Sequence, residues 1–142
     1  MAKKNIEQDR RNYQRYDLSY DMYLEFYNKN IQPFTVKTIN ICERGAFIKL
    51  PFDIELFERF KGKLLINEND YAATILFEGI IIRKEIKMAF NMPDEYYAGI
   101  YFEHIDGDHL RRYREFLKIH DQGMFGKFLL KLIKLKNNII DY

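Results

Sequence analysis

The chain is organised around residues 10–27, RRNYQRYDLSYDMYLEFY, in which a cationic arm runs directly into an alternating segment. From Leu18 to Tyr27, apolar and polar side chains alternate with the period of two that is typical of a half-buried β-strand. Because successive side chains of a strand point to opposite faces, one set faces a core. We expect that set to be Leu18, Tyr20, Met22, Leu24 and Phe26.

The arm before this strand is suited to hold an anion. Arg11 and Arg15 are separated by three residues, a spacing that puts both on one side of a helix and of an extended chain. In an extended arm their Cα atoms lie at most about 13 Å apart, which suits a small ligand with several negative charges. Residues 1–9 are polar, and we expect them to form a flexible tail.

Five further segments have the composition and length of strands. They are Phe34–Ile41, Ala46–Leu50, Lys63–Ile66, Tyr71–Lys84 and Tyr96–Glu103. Six strands with hairpin-length connections favour an all-β fold, a closed six-stranded antiparallel β-barrel followed by one or two C-terminal α-helices.

The connections carry predictions of their own. Asn67–Asp70 is expected to be a turn, and Gly45 to occupy a turn position with positive φ. Asp53–Phe60 is predicted to form a short helical turn, and Met88–Glu95 a loop. The inward residues of the helical turn would be Ile54, Phe57 and Phe60.

The C-terminal part of the chain has the pattern of amphipathic helices. Asp106 or Asp108 is suited to cap a helix that runs to about His120. A second stretch, Phe125–Ile140, places apolar residues at helical spacing beside four lysines. It is suited to pack on the barrel, to associate with another copy or partner, or to lie on an anionic membrane, and packing or self-association is favoured because such faces are usually core. The predicted organisation is a tail over 1–9, a barrel domain over 10–120 and a basic helical extension over 121–142.

Composition narrows the class of protein. The 142 residues are enough for one domain with its own core, and the net charge of +2 argues against a partner that is a nucleic acid polymer. The single cysteine, Cys42, excludes an internal disulfide, and no apolar segment approaches the length of a membrane span, so we expect a cytoplasmic protein. The histidines lack the paired spacing of a zinc site, and no nucleophile accompanies Glu43, Asp106 or Asp108, so neither a metal nor catalysis is predicted.

Two short motifs give the chain a family resemblance. Arg11-Asn12-Tyr13-Gln14-Arg15 fits the pattern RxxxR, and Asn40-Ile41-Cys42-Glu43-Arg44-Gly45 fits [DN]xSxxG with one departure, since Cys42 stands where the pattern has Ser. Gly79–Arg83 and Ala98–Phe102 follow at the places of the closing strands. From about Arg10 to Leu117 the chain resembles the PilZ domains, bacterial receptors for cyclic di-GMP.

The resemblance implies a ligand and a set of binding residues. Arg11 and Arg15 would wrap over cyclic di-GMP, while Asn40, Cys42 and Gly45 line the barrel beneath it. Arg10 precedes RxxxR, at the position where an arginine goes with an intercalated ligand dimer in this family, so two ligands per domain are expected. The implied function is a stand-alone effector whose arm orders on the ligand and is then recognised by a downstream protein, with homo-oligomerisation through the C-terminal helices as an open possibility.

Two other interpretations remain open from the sequence. A thiol is a weaker hydrogen-bonding group than a hydroxyl, so Cys42 favours a degenerate PilZ-like scaffold that acts by protein contacts alone. The cost of this replacement is on the order of 0.5–1.5 kcal/mol, which weakens ligand binding without abolishing it. The second alternative is a small barrel that binds single-stranded nucleic acid through aromatic faces and arginines, against which the near-neutral charge argues.

Overall fold

Six antiparallel strands close into a barrel in the order β1-β2-β3-β6-β5-β4 within residues 14–68 and 71–121, which the computed structural model describes. The strands are β1 (Asp21–Phe26), β2 (Phe34–Cys42), β3 (Gly45–Leu50), β4 (Arg59–Glu68), β5 (Tyr71–Lys87) and β6 (Glu95–Ile105), and one helix, α1 (Gly107–Asp121), follows them. The predicted six-stranded barrel with a C-terminal helix is therefore confirmed. No helix in this part of the chain has both the length and the apolar character needed to cross a bilayer.

The alternation predicted for the first strand is present. Tyr20, Met22, Leu24 and Phe26 are buried, and Leu18 packs partly buried against them. Inside the barrel a series of aromatic rings continues from this strand towards the helix, with centroid separations between 4.5 and 5.8 Å. Its members are Phe26, Phe60, Phe77, Phe102 and Tyr113. The core thus joins the strands to α1 in one packed unit.

The two ends of the barrel are closed differently. Residues 51–58 link β3 to β4, which are not neighbours in the sheet, and Ile54 of this connection is buried in the core. At the other end α1 inserts Tyr113, Phe116 and Leu117. Both ends are therefore sealed by apolar side chains.

The helical turn predicted for 53–60 is wrong. The connection contains no helix, and Arg59 and Phe60 already belong to β4. Phe57 is 66% exposed and has a positive φ of 69°, so it cannot share an inward face with Ile54. Its amide instead donates to the carbonyl of Ile81 on β5 (2.8 Å), which continues the sheet for one step.

Other predicted boundaries shift by a few residues. Asn67 and Glu68 extend β4 instead of forming a turn, and Glu95 begins β6 instead of ending a loop. The predictions for the tail over 1–9, for the arm up to Tyr13 and for the extension over 122–142 lie outside the described residues, as does the rest of the turn, at residues 69 and 70.

Thr38 joins β2 to the segment that leads into β1. It is the buried polar residue of the described core, and it lies beside an irregularity in the pairing of β2 with β3. Its hydroxyl donates to the carbonyl of Leu18 (2.7 Å) and accepts from the amide of Tyr20 (2.9 Å). Two backbone groups before the start of β1 are thereby satisfied without a regular ladder.

We predict that Thr38→Val lowers the free energy of unfolding by about 1–3 kcal/mol, because two buried backbone groups lose their partner. Chemical denaturation of the purified protein measures this change. Thr38→Ser is the matched control, since it keeps the hydroxyl and removes only a methyl group. A Val variant as stable as the wild type would show that water replaces the hydroxyl at no cost.

Candidate functional site

The arm is attached to the barrel by a two-way backbone bridge. The amide of Tyr16 donates to the carbonyl of Ile41 (2.8 Å), and the amide of Ile41 donates to the carbonyl of Tyr16 (2.9 Å). This antiparallel bridge places Arg15 beside the end of β2, where Cys42 lies. A residue of the first motif is therefore held next to the second by main-chain hydrogen bonds.

Across the next strands, residues of the site stand in two parallel rows on the outer face. In the first row Cys42 pairs with Gly45, and Gly45 pairs with Tyr101.

The second row lies two residues further along each strand. It consists of Asn40, Phe47, Gly99 and Arg83, each opposite the next on β2, β3, β6 and β5. With strands about 4.8 Å apart, this row spans roughly 14 Å.

These rows enclose a shallow cavity of about 170 Å³. Its lining includes three arginines and no acidic residue. The lining residues are Arg15, Asn40, Cys42, Arg44, Gly45, Ala46, Phe47, Ile82, Arg83, Gly99, Ile100 and Tyr101. Guanidinium groups around a floor without carboxylates suit an anion that also has flat apolar faces.

Four of the six residues predicted to bind the ligand line this one cavity. Arg15, Asn40, Cys42 and Gly45 come from the arm, β2 and β3 and are brought together on the same outer face. Arg10 and Arg11 lie outside the described residues. The convergence of the four is a fact of geometry, and ligand binding by any of them stays a prediction.

The reason for a glycine at position 45 differs from the predicted one. Only Glu43 and Arg44 form the turn, and Gly45 is the first residue of β3. The φ angle of Gly45 is not positive. A Cβ atom at this position would lie 2.0 Å from the carbonyl oxygen of Ile100 on β6. Gly45 is therefore required by the close approach of two strands, whatever it does for a ligand.

Sequence reasoning missed Arg83 and Phe47 as residues of this cavity. The guanidinium carbon of Arg83 lies 5.2 Å from the centroid of the Phe47 ring, a cation–π contact. The Phe47 ring also stacks on Tyr97, with the ring centroids 5.8 Å apart. The signal in the sequence was the run Ile80-Ile81-Ile82, whose three consecutive apolar residues break the alternation of a strand and mark a bulge.

Helix α1 is fixed to the end of β2 and to the turn that follows it, beside the cavity. The Tyr113 hydroxyl donates to the carbonyl of Cys42, and the guanidinium of Arg114 pairs with Glu43 at 2.6 Å. Burial raises the pKa of Tyr113 well above its usual value, which keeps the hydroxyl protonated as a donor.

The end of the helix reaches the arm. Burial, and then the charge of Asp121 and a hydrogen bond to it, raise the pKa of Tyr16. The backbone of Tyr16 therefore contacts β2, and its phenol lies near enough to Asp121 of α1 for that carboxylate to raise its pKa. A displacement of the arm at Tyr16 would therefore change the surroundings of Asp121 in the last turn of the helix.

Another cavity, of about 250 Å³, lies on the half of the barrel formed by β1, β4 and β5. Its lining mixes Lys61 and Lys63 with three carboxylates, so it suits an anion less well than the first cavity. The carboxylates belong to Glu25, Glu78 and Asp106. Among residues 14–68 and 71–121 no group of three or more His, Cys, Asp and Glu side chains is arranged to hold a metal ion.

The family model described as the PilZ domain matches residues 9–118. The chain belongs to the PilZ family. Both motif segments fall inside the match, and so do the six strands and most of α1. No sequence among the curated proteins matches significantly.

Three solved structures share the fold at low sequence identity. The Bacillus subtilis inhibitor of motility MotI/DgrA is 15% identical, with a TM-score of 0.57 over 72% of this chain and 46% of its own, so this chain spans less than half of that protein. The PilZ domain of Escherichia coli YcgR, solved with c-di-GMP, is 13% identical, with a TM-score of 0.55 over 72% of this chain and 85% of that domain. The complex of K. pneumonia MrkH with c-di-GMP is 17% identical, with a TM-score of 0.57 over 89% of this chain and 53% of the MrkH chain.

We predict that Gly45→Ala lowers the free energy of unfolding by about 1–3 kcal/mol in the absence of any ligand, because the new methyl group forces β3 away from β6. Thermal or chemical unfolding measures the loss. Gly107→Ala is the matched control, since nothing lies within 4 Å of a Cβ atom there and Ala favours the helix that begins at this residue. Equal stability of the Gly45 variant and the wild type would contradict the structural role.

Proposed function

We propose that this protein is a cyclic di-GMP receptor whose N-terminal arginine arm closes over the ligand on the outer face of the barrel. The observation that carries the proposal is the convergence of Arg15, Asn40, Cys42 and Gly45 on one cavity without acidic residues. These residues come from two motifs about 25 positions apart in the chain. The family match over residues 9–118 supports it.

The chemistry of the cavity fits the parts of this ligand. Cyclic di-GMP carries two phosphates and two guanines. An arginine pairs bidentately with a phosphate or with the O6 and N7 atoms of guanine, and it also stacks on a base. Arg15 is exposed and held beside β2 by the Tyr16 bridge, so its guanidinium is available to the ligand at little ordering cost. Asn40 offers both a donor and an acceptor to a guanine edge.

The size of the cavity explains why an arm is needed. At about 170 Å³ it is smaller than the roughly 300 Å³ at which pockets for small molecules usually begin. A dinucleotide on this floor would leave one side open to solvent. We assign the missing wall to residues 10–13, with Arg11 joining Arg15 over the ligand and Arg10 favouring a second stacked ligand.

The output of binding is proposed to pass through α1. Tyr113 and Arg114 hold the turn of the second motif, and Asp121 at the end of α1 lies near Tyr16 at the base of the arm. Ordering of the arm therefore favours one position of the helix over others, which is a shift of population. A downstream protein would recognise the ordered arm together with the helix.

Two relatives supply further support. The YcgR domain and MrkH share this fold, and each was solved with c-di-GMP. Their ligand is carried over to this chain as part of the proposal, since identities of 13% and 17% speak for the fold alone.

One observation favours a second candidate function. Cys42 lines the cavity at the position where the family pattern has Ser, and a thiol there offers the ligand a weaker hydrogen bond. The second candidate is a PilZ scaffold without useful nucleotide binding that acts through protein contacts. It differs from the leading proposal in its response to cyclic di-GMP.

We expect calorimetric titration with cyclic di-GMP to show binding by the wild type, with two ligands per chain. Arg15→Ala should weaken binding by about ten- to a hundredfold, because a charge-assisted hydrogen bond contributes about 1.5–3 kcal/mol. Cys42→Ser should tighten it by up to roughly tenfold, because the hydroxyl is the stronger partner.

The matched control is Arg59→Ala, which removes an exposed arginine paired with Glu103 at 2.8 Å, away from the cavity. Its affinity should equal that of the wild type. Absence of binding by the wild type, together with binding by Cys42→Ser, would establish the scaffold as the natural function. Equal losses in Arg15→Ala and Arg59→Ala would show that binding follows net charge and not this site.

A further inference from the structure

Arg83 lies at the far edge of the cavity, in the same cross-strand row as Asn40. Asn40 is opposite Phe47, Phe47 is opposite Gly99, and Gly99 is opposite Arg83. Arg15 borders the floor on the side of β2, and Arg83 borders it on the side of β5. The two arginines therefore stand at opposite edges of one floor.

A bulge in β5 turns Arg83 outward. Ile81 pairs with Ile100 and Arg83 pairs with Gly99, so Ile82 is an extra residue between two consecutive partners. In a ladder without the bulge, Ile82 would pair with Gly99, and Arg83 would pair with Ala98, whose side chain is buried in the barrel. β-Bulges commonly re-aim a side chain beside a functional site.

Two neighbours then determine where the guanidinium lies. Gly99 has no side chain. A Cβ atom at this position would lie 3.3 Å from the Cβ atom and 3.6 Å from the Nε atom of Arg83. The guanidinium can therefore lie across β6 onto the Phe47 ring, at 5.2 Å. Its contact with Glu85 is long, at 3.8 Å between Nε and Oε1, and half of each side chain is exposed, so this ion pair restrains it little.

We infer that Arg83 is a further ligand-binding residue of the site and that a guanine of the cyclic dinucleotide stacks on the face of its guanidinium that is turned away from Phe47. The inference rests on the proposed function and deepens it, since it assigns a guanine to the edge of the floor on the side of β5. A guanidinium already supported on an aromatic ring offers a flat cationic face, the surface on which nucleobases stack without further ordering. It also supplies a contact that offsets the weak thiol of Cys42.

The test is calorimetric titration of three variants with cyclic di-GMP beside the wild type. Arg83→Met removes the cationic plane but keeps an unbranched apolar side chain, and we expect it to bind about tenfold more weakly. Arg83→Lys keeps the charge without the plane and should lose nearly as much, because an ammonium group cannot lie flat between a ring and a base. Arg59→Met, on β4 and outside the lining of the cavity, is the control and should bind as the wild type does.

The outcomes separate this inference from the function on which it rests. If the wild type does not bind cyclic di-GMP, the proposed function fails and Arg83 loses its role with it. If the wild type binds, Arg15→Ala binds more weakly and Arg83→Met binds with the affinity of the wild type, then only the inference about Arg83 is overturned. Full affinity in Arg83→Lys would overturn the stacking role in favour of a simple charge, and unchanged unfolding temperatures would show that no variant acts through stability.

Discussion

The pair of backbone hydrogen bonds between Tyr16 and Ile41 is the constraint on which the site depends. It extends the pairing of β1 and β2 past the irregular segment that Thr38 supports, and it brings the end of the arm against the strand that carries Asn40 and Cys42. Without it, Arg15 would be one more exposed arginine. With it, two short motifs that are distant in sequence border the same floor.

The barrel supplies a closely packed base for that arrangement. Gly45 lets β3 and β6 approach closely, and Gly99 leaves the space across which Arg83 lies. The interior behind the floor is filled by aromatic rings that continue into α1. Because this interior is closely packed, a ligand on the outer face would deform the sheet little. It would change the conformation of the arm and the position of the helix that is tied to its base more readily.

Sequence periodicity predicted most of the fold because each strand of the barrel buries one of its two faces in the core, which gives its sequence a period of two. The alternation from Leu18 to Phe26 and the existence of the five later strands followed from this pattern, although β4 is 10 residues long and only Lys63–Ile66 of it was predicted. The helical turn over 53–60 was wrong because Ile54 and Phe57 mimic a helical spacing, while the chain there crosses between strands that are not neighbours. Local spacing carries no information about such a crossing.

The site was predicted only in part, because some of its features depend on contacts between strands that are distant in sequence. Motif spacing pointed to Arg15, Asn40, Cys42 and Gly45, which line one cavity, but the reason for Gly45 is a contact with a strand more than 50 positions away in the chain. Arg83 was missed because strict alternation after the buried Ile81 would turn it inward, and only the bulge at Ile82 lets it face outward. A run of apolar residues gives only an indirect sign of a bulge, and the position of Phe47 beneath the guanidinium follows from pairing across three strands.

Residue-resolved amide hydrogen exchange, with and without saturating cyclic di-GMP, tests most directly whether the bridge at Tyr16 holds an arm that the ligand closes. The amides of Tyr16 and Ile41 should exchange slowly in the free protein, and the amides of residues 10–15 should gain protection only when the ligand is present. Fast exchange at Tyr16 and Ile41 in the free protein, or an arm whose exchange rates do not change at saturation, would contradict it.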